Sequence, residues 1–174
     1  MSERLILISG GPAVGKTTVG DVLEDRGSKV VHADTSGLLR WGSGKEIQTG
    51  ASSAWLFTHP PHYDENAKDL LRKDGRFLEG WFPGIFRFFG IATDIVWLSP
   101  EWDMKVVMER MKTRDDNPFG TTKAQMAYSL IATVTMEFAV RGIALFKKNI
   151  TMLDAASNTP EQLADLIEKK FKER

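Results

Sequence analysis

The chain is 174 residues long, with 23 basic side chains against 23 acidic ones and no cysteine. That length suits one domain with a substantial core, and the cancelled charge provides no global field to draw the protein onto nucleic acid or a membrane surface. Without cysteine there is no disulfide framework, thiol nucleophile or thiolate metal site.

The N-terminal MSERLILISGG carries too short an apolar stretch for a signal peptide. No run approaches the roughly 18 apolar residues of a membrane span, so a soluble, cytoplasmic protein is expected. Within that start, Leu5-Ile6-Leu7-Ile8 is an unbroken apolar run of the kind a buried parallel strand requires. Residues 8–19 read ISGGPAVGKTTV and fit G-x-x-x-x-G-K-S/T, with Gly10, Gly15, Lys16 and Thr17 on the fixed positions. Val19, Val22 and Leu23 then share one helical face, so the glycine-rich turn lies between a strand and a helix. Such a turn directs main-chain N–H groups inward around phosphate oxygens, and the positive end of the following helix continues the nest. Gly11, Pro12, Ala13, Val14, Gly15, Lys16, Thr17 and Thr18 are therefore expected to hold the polyphosphate of a nucleoside triphosphate. Lys16 adds a mobile charge for the β- and γ-phosphates, and Thr17 offers its hydroxyl to Mg²⁺.

After a helix over 15–26, residues 29–33 form a second apolar stretch closed by Asp34. A short helix is predicted over 35–42, a long irregular segment over 43–62, and a helix over 64–73 opened by Asp64. Arg76-Phe77-Leu78 reads as the third strand, with GWFPG as a turn behind it. The fourth strand spans 94–98, and Ser99 then caps a helix with Pro100 in its first position. Residues 121–147 predict one long helix, starting at Thr122 with Gln125 three residues on. A last strand spans 150–153, and Thr159-Pro160-Glu161-Gln162 is a capping box that opens the final helix. Strands alternating with helices predict an α/β fold, a five-stranded parallel sheet covered on both faces in three α/β/α layers. The site should lie beyond the carboxyl ends of the strands, where Gly10, Asp34 and Glu79 converge.

Phosphoryl transfer, a guanine-nucleotide switch and an ATP-driven assembly protein all use such a loop. A switch needs an Asn/Thr-Lys-x-Asp base reader, and Thr122-Lys123-Ala124-Gln125 lacks the aspartate. Asp34-Thr35-Ser36-Gly37 does spell the D-x-x-G of switches, a weak pattern by itself. An assembly ATPase usually carries an apolar run ending in two acids, and no such pair follows a strand here.

By element order nearly the whole chain resembles a nucleoside monophosphate kinase of the adenylate kinase type, and more loosely the shikimate and gluconate kinases. Thr35 to Arg40 resembles the T-G-D-x-x-R segment whose arginine holds the acceptor phosphate, with serine and glycine replacing the usual pair. Glu79-Gly80-Trp81-Phe82-Pro83-Gly84 resembles the D-G-F-P-R turn, with glycine where the second arginine stands and Arg87 three residues on. Glu109-Arg110…Arg114 matches the paired arginines that begin the lid, and four residues is one helical turn, so both can face the donor phosphates. The second lid pair has no clear counterpart, and Arg141, on the long helix, is the only candidate for it.

The resemblance implies a P-loop NTPase fold forming one kinase domain over 1–174, an acceptor-binding segment over about 35–75 and a short lid over about 114–122. It further implies ATP and Mg²⁺, with Lys16, Asp34, Arg110 and Arg114 in catalysis and Asp34, Arg40, Glu79, Gly80 and Arg87 around the acceptor. Mg²⁺ would be held by Thr17 and, through water, by Asp34 or Glu79. Asp34 stands where kinases of hydroxyl groups place a carboxylate that binds or deprotonates the acceptor; capping the 35–42 helix is its other use. Trp41, Trp55, Phe57, Trp81 and Phe82 fall on the segments that would wall an acceptor pocket, whereas Trp97 and the helical methionines read as core. His59 and His62 flank a double proline with no third ligand in view and read as loop residues.

The expected function is ATP- and Mg²⁺-dependent transfer of the γ-phosphoryl group to a small acceptor, with a nucleoside or nucleotide leading. The alternatives are a hydroxyl on a small metabolite or on a modified nucleic-acid base, and a non-kinase nucleotide-binding or switch protein. The partners are then a nucleoside triphosphate and a small acceptor, with no membrane, and the protein a monomer or homodimer.

Overall fold

Every residue of the first strand, Ile6–Gly10 (β1), is buried, as its unbroken apolar run requires. The computed structural model describes residues 5–32, 39–40, 62–63, 77–80, 92–113 and 123–172. After β1 come α1 (Lys16–Asp25), β2 (Val30–His32), β3 (Leu39–Arg40), β4 (His62–Tyr63) and β5 (Phe77–Glu79). β6 (Asp94–Ser99), α2 (Met104–Thr113), α3 (Lys123–Ala144), β7 (Ile150–Asp154) and α4 (Pro160–Lys172) follow.

β2, β5, β1, β6 and β7 form, in that order, a sheet in which every pairing is parallel. One face carries Ile6, Ile8, Val96 and Leu98 against Val19 and Leu23 of α1 and Leu163, Ile167 and Phe171 of α4. On the other, Trp97 packs with Ala132, Met136 and Val140 of α3. Helices thus cover both faces. Register decides what meets at the carboxyl edge: Glu79 is paired with Ile8 of β1 on one side and with His32 of β2 on the other.

Two expected elements differ. Leu39–Arg40 is not helical but pairs antiparallel with His62–Tyr63 in a separate two-stranded ladder. Backbone groups of 39–40 find partners more than twenty residues away, which local propensity cannot foresee. Ser99 is not the cap of α2. It ends β6, donates its hydroxyl to Glu137 Oε1 at 2.6 Å and accepts the Glu101 N–H. The chain turns through positive φ at Glu101 (46°) and Trp102 (70°), and Asp103 caps α2 by accepting the N–H groups of Lys105 and Val106. A tertiary partner claimed the serine, and Asp103 took over its cap.

The long helix stands as one element from Lys123 to Ala144. Its expected cap at Thr122 and the expected helix over 64–73 lie outside the described residues. At α4 the capping box forms as expected: Thr159 N–H donates to Gln162 Oε1 at 2.8 Å, and Gln162 N–H to Thr159 Oγ1 at 3.3 Å. Among the described residues no helix is long and apolar enough to cross a membrane.

Candidate active site

The loop between β1 and α1 carries the first half of the site. Gly10 and Gly11 are glycine for space. A Cβ on Gly10 would meet Leu98 O at 2.6 Å, and one on Gly11 would meet Thr133 Cγ2 of α3 at 2.7 Å. Gly15 is glycine for conformation, at φ 92° in the left-handed region. It caps α1 without any side-chain hydrogen bond. The cap side chain thus takes none of the N–H groups of the first helical turn, and the positive end of the helix lies behind them. Ala13 also has positive φ, 57°, a conformation an alanine holds only where its surroundings impose it.

Lys16 is 8% exposed and its Nζ donates to Gly11 O at 3.0 Å, so the ammonium curls back over the loop. Arg110, from α2, donates Nη1 to Val14 O at 3.4 Å. A cavity of about 520 Å³ opens between the loop, Arg110 and Thr113 of α2, and Ala155, Asn158 and Pro160 beyond β7. Its wall after β7 is held by Asp154, whose Oδ1 accepts the N–H groups of Ala156 and Ser157, while Asn158 Nδ2 donates to Asp154 O. The Ser157 side chain, with these N–H groups, keeps the Asp154 carboxyl below its ordinary pKa.

The second half of the site is a polar cluster at the ends of β2 and β5. Glu79 is 1% exposed. Its Oε1 accepts the Thr17 hydroxyl at 3.3 Å, and its Oε2 lies 3.1 Å from His32 Nδ1, which donates to it. That hydrogen bond raises the His32 pKa above its ordinary value; partial burial opposes it, and the charges of Glu79, Asp21 and Glu24 add to it. Gly80 continues the edge, with its N–H donating to Ile8 O at 3.3 Å.

Thr17 and Glu79 supply a hydroxyl and a carboxylate, hard oxygen donors beside the phosphate loop. Mg²⁺ keeps several waters and substrate phosphate oxygens rather than filling an all-protein cage. The pair therefore fits that ion, although among the described residues no group of three or more His, Cys, Asp or Glu could hold a metal.

Of the expected site residues, the loop with Lys16, Thr17 and Thr18, Glu79, Gly80 and Arg110 come together in space. Arg40 lies in β3, its backbone paired with His62. Asp34, Arg87 and Arg114, like the pocket aromatics Trp41, Trp55, Phe57, Trp81 and Phe82, lie outside the described residues, as does the lid over 114–122. Arg141, the candidate for the second lid pair, donates to Glu137 Oε1 and to Glu101 Oε2, each at 2.8 Å, and lies 5.3 Å from the Trp102 ring centroid. Sequence reasoning missed His32, Asp21 and the wall at Ala155 and Asn158. His32 ends β2, so the strand-end rule that singled out Asp34 and Glu79 reaches it too. Nothing local marks the others.

No protein-family model and no curated protein matches the chain. Its fold is similar to that of shikimate kinase from Acinetobacter baumannii, solved in complex with shikimate, at a TM-score of 0.59 and 16% identity. The likeness covers 99% of this chain and 96% of that one. At that identity it shows the fold alone, an α/β fold shared with that shikimate kinase, and it does not single out the adenylate kinase type.

Proposed function

We propose that this protein is a kinase that transfers the γ-phosphoryl group of ATP to a hydroxyl on a small metabolite. The observation that carries this is the Thr17–Glu79 contact, a buried carboxylate from the neighbouring strand closing on the loop threonine, within a fold shared with shikimate kinase. A nucleoside or nucleotide acceptor, the leading expectation from sequence, draws no support from that neighbour.

Phosphoryl transfer is chiefly positioning and charge neutralisation. The loop amides and Lys16 bind the polyphosphate, and the cavity beside Arg110 and Pro160 has room for the rest of the nucleotide. Mg²⁺, bound with the nucleotide, supplies charge neutralisation at the β- and γ-phosphates. Thr17 would hold it directly, and Glu79 would orient that threonine. Arg110, from above Val14, and Arg114, one turn on in sequence, neutralise charge on the transferred group. Asp34, two residues beyond His32, is assigned the acceptor hydroxyl, with Arg40, Gly80 and Arg87 on the acceptor side.

The test is acceptor-dependent ADP formation from Mg·ATP over a panel beginning with shikimate and other hydroxy acids and polyols, then nucleosides and nucleoside monophosphates. Turnover with a hydroxyl metabolite is expected, and Arg114→Ala should lower it about 100-fold while leaving nucleotide binding intact. Turnover with monophosphates alone restores a nucleotide kinase. Nucleotide binding without any acceptor-dependent ADP overturns the kinase.

A further inference from the structure

His32 belongs neither to the phosphate loop nor to the roles assigned above, yet it is the hinge of the polar cluster. Its Nδ1 donates to Glu79 Oε2 at 3.1 Å, and the other oxygen of that carboxylate accepts the Thr17 hydroxyl at 3.3 Å. Glu79 is 1% exposed, so these partners rather than solvent set its rotamer. On its far side the ring faces α1, with Nε2 3.6 Å from Asp21 and 3.9 Å from Glu24. Space for the ring comes from Gly20, where a Cβ would lie 2.7 Å from His32 Cε1. Glycine inside a helix is destabilising relative to alanine. Here it gives the imidazole its seat.

A hydroxyl has one proton and two lone pairs. With its proton committed to Glu79, the Thr17 oxygen keeps its lone pairs for a cation. Groups that orient a metal ligand without touching the metal tune its affinity. We propose that His32 is a positioning residue: by gripping Glu79 it fixes the orientation of the Thr17 hydroxyl, and through it the affinity of the loop for the divalent cation that accompanies the nucleotide. It touches neither substrate nor metal. The inference rests on the function proposed above, in which Thr17 is the cation ligand.

The test is calorimetric titration of the full-length protein with ADP, in EDTA and across a Mg²⁺ series. For His32→Ala the Mg²⁺ concentration giving half of the metal-dependent gain in ADP affinity should rise about tenfold, with ADP affinity in EDTA unchanged. His32→Asn, whose amide can present a donor where Nδ1 stands, should recover most of the loss. A folded His32→Ala protein with the wild-type Mg²⁺ requirement overturns the proposal, and so does an equal loss with and without Mg²⁺, the mark of a ring that only packs. Should His32→Ala not fold, Gly20→Ala replaces it, because the added methyl displaces the ring; the same Mg²⁺-selective loss is expected, and an unchanged requirement overturns the proposal. Wild-type protein that binds no ADP at all removes the proposed function, and this inference with it.

Discussion

Glu79 and Glu137 are both buried carboxylates, at 1% and 0% exposure, and their partners separate their roles. Glu137 is held from within: Trp97 Nε1 donates to it at 2.7 Å, Ser99 Oγ at 2.6 Å and Arg141 Nε at 2.8 Å. These bonds tie α3 to β6 and commit both carboxylate oxygens to the core. Glu79 instead meets the phosphate loop through Thr17. Glu137→Ala strands two buried donors and an arginine, and should cost about 3 kcal/mol of stability. Urea unfolding would read this as a lower midpoint at unchanged m. A loss below about 0.5 kcal/mol, the range of ordinary surface changes, would mean the network is not what holds the helix.

The helices α1 and α4 pack against the same face of the sheet, yet their N-termini are built for different ends. α4 closes its first turn with the reciprocal Thr159–Gln162 bonds and buries Leu163, Ala164, Ile167 and Phe171. α1 starts at a left-handed glycine with no side-chain cap. One end is finished by its own side chains; the other has no side-chain cap, which suits the anion-binding role proposed for it. Arg26, at the C-terminus of α1, reaches Asp165 at 2.7 Å and Glu168 at 3.3 Å on α4, exposed pairs that set alignment more than stability. Thr159→Ala should cost about 1 kcal/mol, with nucleotide binding untouched. Thermal unfolding with and without nucleotide would separate the two effects.

Across the whole molecule, sheet order does the assembling. Placing β5 between β1 and β2 sets Glu79 beside both the loop strand and His32, although 62 residues separate Thr17 from Glu79 in sequence. α2 and the turn after β7 then close the cavity from the other side of the loop. A site spread over so many elements exists only in the folded chain, so a ligand that fits it must stabilise the fold. A non-hydrolysable ATP analogue with Mg²⁺ at a hundred times its Kd should add about 2.7 kcal/mol. For a chain of this size that raises Tm by about 5–10 °C. Lys16→Ala should abolish most of the shift. An equal shift in that variant would place the nucleotide elsewhere.

The glycine-rich turn between β1 and α1, the alternation of strands and helices and the α4 capping box were legible in sequence because each is local. Glycine spacing, apolar periodicity and a threonine three residues before a glutamine carry their physics within a few positions. Glu79 and Arg110 were also reachable, from strand-end position and helical spacing. What only the tertiary structure decided is where long-range partners intervene. Ser99 became a partner of Glu137 rather than a helix cap, Arg141 was drawn into that network, and Leu39–Arg40 paired with a distant strand. His32 acquired its place through sheet register and a missing side chain on a neighbouring helix. Local rules state what a residue can do; which partner claims it depends on distances that exist only once the chain has folded.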